Sequence, residues 1–179
     1  MLEPQWREFL SGSTDMSNAQ NNADNSRRWF GFPPAAEEKI LATERRLEIT
    51  LPDDLKAFYR VTNGWGVFGV YGCGIVPVDK LAWLSESDPG LCSICMVDPD
   101  APSDEVEREW WYEQGIKVCR SIQLSTSGSE ARLLFDPSAD SITELRYGIW
   151  AAWIPAMEWS DTCFAEFFTR EQRELHKTQ

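Results

Sequence analysis

At Asn63-Gly64 the spacing of apolar residues changes from that of a helix to that of a strand. Upstream, Leu55, Phe58, Tyr59 and Thr62 recur at helical intervals, and Ile40, Leu41, Glu44 and Leu47 do the same one helix earlier. Downstream, Val67, Phe68, Val70 and Tyr71, then Ile75, Val76 and Val78, follow the shorter period of strands, with glycines at the bends. Further strands are expected over residues 116–124, 131–136 and 141–153, separated by turn signals at Ser127-Gly128 and Asp136-Pro137-Ser138, and residues 104–113 read as a charged helical run. The chain closes with a helix in which Phe164, Phe167, Phe168, Glu171 and Leu175 share a face and Ser160 is the expected N-cap. Helices, then a block of strands, then a helix is an α+β order and not a run of βαβ units.

The helix starts carry their own signals. Pro34 suits a first helical turn, because its missing N–H would have had no intrahelical partner, and Glu37 and Glu38 then face the positive end of the helix dipole. A helix over residues 35–47 follows. Leu51-Pro52-Asp53-Asp54 repeats this arrangement, and Gly64 is expected to supply a left-handed cap at the end of the second helix. Before them, Leu2, Trp6, Phe9 and Leu10 form one apolar stripe, so residues 1–10 read as a short amphipathic helix that must dock on something. Residues 11–28 are rich in Ser, Asn and Asp and read as a flexible polar linker. The remaining segment, 29–179, is one domain.

With 179 residues the chain can bury a sizeable core without a disulfide or metal staple. Its formal charge of −12 repels phosphate backbones and anionic lipid headgroups, which argues against direct nucleic-acid or membrane-surface binding and in favour of a basic protein partner. Glu3, Arg7 and Glu8 interrupt the opening segment where a signal peptide would be apolar, and no apolar run is long enough to span a bilayer. Five scattered cysteines fit reduced thiols. The expected setting is the cytoplasm.

Catalytic signatures are weak. Gly64, Gly66 and Gly69 spell G-x-G-x-x-G, but a helix precedes and strands follow, the reverse of a dinucleotide site. Cys92 and Cys95 could be half of a zinc site, yet Cys73, Cys119 and Cys163 are isolated in sequence and His176 is the only histidine. Neither a Ser-His-Asp nor a Cys-His set can be assembled, so no catalytic residue, metal ligand or cofactor is assigned. Charge is unevenly placed, with nine acids between Glu86 and Glu113 against Arg108 alone. Because that run also holds Met96, Val97, Trp110 and Trp111, it mixes steering charge with apolar anchors. Asp98, Asp100, Asp104, Glu105, Glu107 and Trp111 are the candidate partner-binding residues.

Trp29-Phe30-Gly31, Pro34, Ile40, Glu44 and Leu47, then the block from Leu51 to Gly64, resemble the N-terminal signature of the SUKH superfamily. This superfamily groups fungal Smi/Knr-type cell-wall regulators with bacterial immunity proteins. The signature positions here are Trp29, Gly31, Pro34, Glu44, Leu51, Pro52, Phe58, Asn63 and Gly64. Leu81-Ala82-Trp83-Leu84, the segment 122–136 and Phe164-Ala165-Glu166-Phe167 look like later family elements, with Cys163 where the family has serine. The resemblance implies a single domain with a mixed or mainly antiparallel sheet, packed by N-terminal and C-terminal helices. It also implies a non-enzymatic protein that neutralises a cognate toxin by binding it, here a basic one. Two alternatives are a regulatory scaffold with endogenous partners and an enzyme using carboxylates. Trp29, Ile40, Leu47, Leu51, Phe58 and Tyr59 should be buried, and Glu44, if buried, needs a partner such as a backbone N–H.

Overall fold

The computed structural model describes residues 1–17, 31–68, 72–96, 105–126, 130–139, 144–152 and 157–177. Three helices come first: α1 (Glu3–Ser17), α2 (Glu37–Leu47) and α3 (Asp53–Val61). The hairpin β1 (Trp65–Phe68) and β2 (Cys73–Ile75) follows, then a 3-10 turn at Val78–Lys80, β3 (Ala82–Trp83), α4 (Leu84–Ser87), α5 (Pro89–Met96) and α6 (Glu105–Cys119). The chain then runs through β4 (Ile122–Gln123), β5 (Ala131–Phe135), β6 (Tyr147–Ala151) and β7 (Glu158–Asp161) into α7 (Phe164–Lys177). Both sheets are antiparallel: β1 pairs with β2, and the larger sheet has the order β3-β4-β5-β6-β7. The architecture is a single α+β domain.

The larger sheet is covered on both faces, and the period of two in its strands sorts side chains between them. Leu133 lies opposite Ile149 and Phe135 opposite Tyr147, all buried in the main core with Ala131 and Ala151. Trp6 of α1, Phe58 of α3 and Phe164, Phe167 and Phe168 of α7 complete this core. On the other face Leu134, Leu84, Leu91, Val118 and Met157 form a second, smaller core, flanked by Trp150 and Trp159. There α5 and α6 sit. Ile40, Leu47, Leu51, Phe58 and Tyr59 are all buried as expected, while Trp29 falls outside the described residues.

Several boundaries differ from the sequence reading. The first helix continues past Leu10 to Ser17, and residues 18–28 lie outside the described residues. Helix α2 begins at Glu37, because Ala36 is extended (φ −70°, ψ 146°) and the Ala35 N–H is committed to the Tyr59 carbonyl at 2.9 Å. Pro34 therefore sits in the extended lead-in. Helix α3 ends with Thr62 extended as its cap residue, and Gly64, at φ +111°, turns the chain into β1 without capping the helix. A Cβ there would stand 2.7 Å from the Ile75 carbonyl oxygen.

The strand expected over residues 116–124 is helix up to Cys119, leaving only Ile122–Gln123 to pair in β4. Val118 reaches the second core from α6, so the apolar run there serves a helix packed against the sheet and not a strand within it. Ser160 lies within β7. The N-terminal N–H of Ala165 in α7 is instead capped by Asp54, whose Oδ2 accepts it at 3.1 Å from 111 residues away. Between residues 141 and 153 the paired strand is Tyr147–Ala151, and 141–143 and 153 lie outside the described residues.

Candidate partner-binding face

Helix α5 is fixed to the sheet at its start. Asp88 takes an ion pair from Arg132 of β5 at 2.9 Å and accepts the Leu91 N–H at 3.1 Å. Helix α6 then packs on α5 at Gly115, where a side chain would run into the Cys95 carbonyl oxygen, so glycine is what allows the two backbones to approach. The far end of α6 is tied to the β5 end by buried Asp136. This carboxylate pairs with Arg120 at 3.2 Å and accepts the Ser138 N–H and Oγ–H at 3.0 and 2.6 Å. Lys117 is drawn inward too, its ammonium 4.3 Å from the Trp159 ring centroid and 3.1 Å from the Leu145 carbonyl it donates to.

With Gly115 and Val118 buried and Trp111, Gln114 and Lys117 half-buried, the opposite side of α6 is left to solvent. Glu105, Glu109 and Glu113, one helical turn apart, form an exposed acidic stripe about 12 Å long. Apolar side chains flank it on both sides: Val106 and Trp110, 75% and 46% exposed, and Tyr112 and Ile116, 55% and 38% exposed. Trp110 meets Trp111 edge-on at 4.9 Å between centroids, and Ile94 and Met96 of α5 are exposed as well.

Of the candidate residues taken from sequence, Glu105 lies on this face and Trp111 is half-buried beneath it. Asp98, Asp100 and Asp104, and the side chain of Glu107, lie outside the described residues. The sequence reading passed over Glu109, Glu113, Tyr112 and Ile116 as site residues. Glu105, Glu109 and Glu113 carried a signal in their i, i+4, i+8 spacing, which places them on one helical face.

Nucleophilic chemistry has little support around α5 and α6. Cys92, Cys95 and Cys119 are half-buried together, and the Cys119 thiol donates to the Cys92 carbonyl at 3.6 Å. Burial, reinforced by the Cys119 thiol, pushes Cys92 up to about 12, and burial together with Cys119 and Asp88 pushes Cys95 up to about 11. Both stay thiols at neutral pH, the unreactive form. Among the described residues no group of three or more His, Cys, Asp and Glu side chains is arranged to hold a metal ion. His176 lies in α7, with its side chain outside the described residues.

The model of the SMI1 / KNR4 family (SUKH-1) matches residues 34–170, which span the fold from α2 into α7. The chain belongs to the SMI1/KNR4 family. No curated protein matches it. In this SMI1/KNR4 domain the signature residues within reach of description are scaffold. Glu44 is half-buried, accepts the Leu51 N–H at 2.8 Å, and lies 3.5 Å from the Lys56 ammonium. Asn63 accepts the Val78 N–H at 2.8 Å, Gly31 bridges to Trp65, and Phe58 is central to the main core. Pro52 is the cap residue of α3. The residues that resemble the family signature thus build the α2–α3–β1 corner, on the opposite side of the sheet from the α6 face. Among the described residues no helix is long and apolar enough to cross a membrane.

Proposed function

We propose that this SMI1/KNR4 protein is a cytoplasmic immunity protein that binds and occludes a cognate, basic toxin domain through the outer face of α6 and the acidic segment leading into it. The observation that carries the reading is the composition of that face, three exposed glutamates in register between two pairs of exposed apolar side chains. Exposed acids accelerate encounter with a cationic partner, and partly exposed rings supply the contacts that hold it. A family whose members act by binding proteins adds support, as does the formal charge of −12. Asp98, Asp100 and Asp104, which precede α6 in sequence, are proposed to contact the toxin together with Glu105, Glu107 and Trp111.

The test is association kinetics with the toxin domain encoded beside this chain's gene, across ionic strength. Replacing Glu105, Glu109 and Glu113 by Lys should slow association about tenfold or more at low salt and remove its salt dependence. Trp110→Ala should leave association alone and speed dissociation about 30-fold. Equal, salt-independent rates for wild type and triple variant would reject the face. Absence of a neighbouring toxin gene would favour a regulatory scaffold with endogenous partners.

A further inference from the structure

We propose that the groove between α3 and α7 is a binding site for an amphipathic helix carrying Trp with apolar residues three and four positions on, and that α1 is its tethered, exchangeable ligand. The groove is built without α1. Its walls are joined by Asp54 of α3, which caps the Ala165 N–H of α7 at 3.1 Å, and by Phe58, whose ring stands 5.1 and 5.4 Å from those of Phe164 and Phe168. Trp65 of β1 closes it from the sheet side, 6.2 Å from Phe168.

What α1 adds is a small set of anchors. Trp6 and Leu10 are fully buried and Phe9 is half-buried, whereas Leu2, Pro4, Gln5, Arg7, Glu8 and Ser11 face solvent. The Trp6 ring lies 5.2 Å from Phe58, 5.7 Å from Phe164 and 5.4 Å from Phe168, and its indole N–H donates to the Asp54 carbonyl at 3.2 Å. One aromatic in a preformed pocket, fixed by one hydrogen bond, is how a helix is held in a groove by a partner protein. The family match begins at residue 34 and contains both walls, so α1 lies outside the matched segment. Residues 18–30 link α1 covalently to the matched segment, and a covalent link raises the effective concentration of α1 at its groove. A second copy's α1 presents the same anchors and competes for the same site.

The probe is a dye-labelled peptide of residues 1–17, titrated into the full-length chain and read by anisotropy. In the wild-type chain the tethered α1 competes, so the peptide should bind weakly. In full-length Trp6→Ala the tether loses its anchor, and the same peptide should bind at least about 30-fold more tightly. A peptide carrying Trp6→Ala should bind neither chain. If full-length Trp6→Ala is folded by near-ultraviolet circular dichroism and fails to bind the wild-type peptide, the proposal is overturned. Should that variant lose its near-ultraviolet signal, recovery of the signal on adding the peptide supports the proposal, and no recovery overturns it.

Discussion

The two helical layers on the central sheet sort their side chains in opposite ways. Where α1, α3 and α7 cover one face, the large rings go inward: Trp6, Phe58, Phe164, Phe167 and Phe168 have no measurable exposure. Where α5 and α6 cover the other, Gly115 faces α5 and Val118 the sheet, while Trp110, Tyr112 and Ile116 face out. Hydrophobic burial explains the first layer fully. It does not explain the second, since a helix packed through a glycine and a valine needs no rings on its far side. Scattered exposed apolar residues are ordinary, but this set borders a row of glutamates on one helix, which is the composition of a recognition surface. On the proposed reading, fold and function are divided between two sides of one sheet.

The largest contrast comes from one truncation on each side. Phe58→Ala removes a ring that touches Trp6, Tyr59, Phe164 and Phe168, so it should lower unfolding free energy by about 3–5 kcal/mol. Trp110→Ala should change stability by no more than about 0.5 kcal/mol. Denaturant titration of both variants measures the difference. Comparable losses would mean that the outer ring of α6 belongs to the fold, and the division would collapse.

A smaller effect tests how the second layer is held. Gly115→Ala would drive a methyl group into the Cys95 carbonyl and force α5 away from α6, at a cost of about 1–3 kcal/mol. Because Leu91 and Val118 lie in a core separate from that of α3 and α7, the damage should stay local. Hydrogen exchange should therefore quicken in α5 and α6 while α3 and α7 keep their protection. Uniform loss of protection would show that the layers unfold as one unit.

Much of the first layer was legible in sequence, and less of the second, for a physical reason. The stripes Ile40-Leu47 and Leu55-Phe58-Tyr59-Thr62 have one buried side, so their period announces both the helix and its orientation. Even the partner of Glu44 could be anticipated, because an inward carboxylate must be paired. In α6, aromatic and charged residues surround the axis without a single apolar stripe, so the charged run 104–113 read as helix while its outward ring did not, and its last turn passed for a strand. The capping of α7 escaped because it is not local: Asp54 reaches Ala165 only after the sheet has folded between them. What sequence conveys poorly here is contact set by tertiary approach, at Gly115-Cys95 as at Asp54-Ala165.

The smallest effect asks whether the strict layer has an exception. Glu171 of α7 is buried beside Gln172, accepts from Arg170 at 3.1 and 2.8 Å, and belongs to a layer otherwise built mainly of apolar rings. Burial raises its carboxyl above the ordinary 4.5, Arg170 opposes the shift, and Asp161 and Glu158 add to it. A raised folded-state value means that the native protein keeps a proton which the unfolded chain releases. Stability contributed by Glu171 is then complete below about pH 4.5 and is lost as pH rises through the folded value. Glu171→Gln retains an oxygen for Arg170 and cannot ionise, so it should gain stability relative to wild type as pH goes from about 4 to 7. Urea midpoints for the two proteins at successive pH values measure that gain. A wild type that instead gains on the variant over the same range would show that Arg170 outweighs burial, making Glu171 an ion-pair residue of the first layer and not a strained acid.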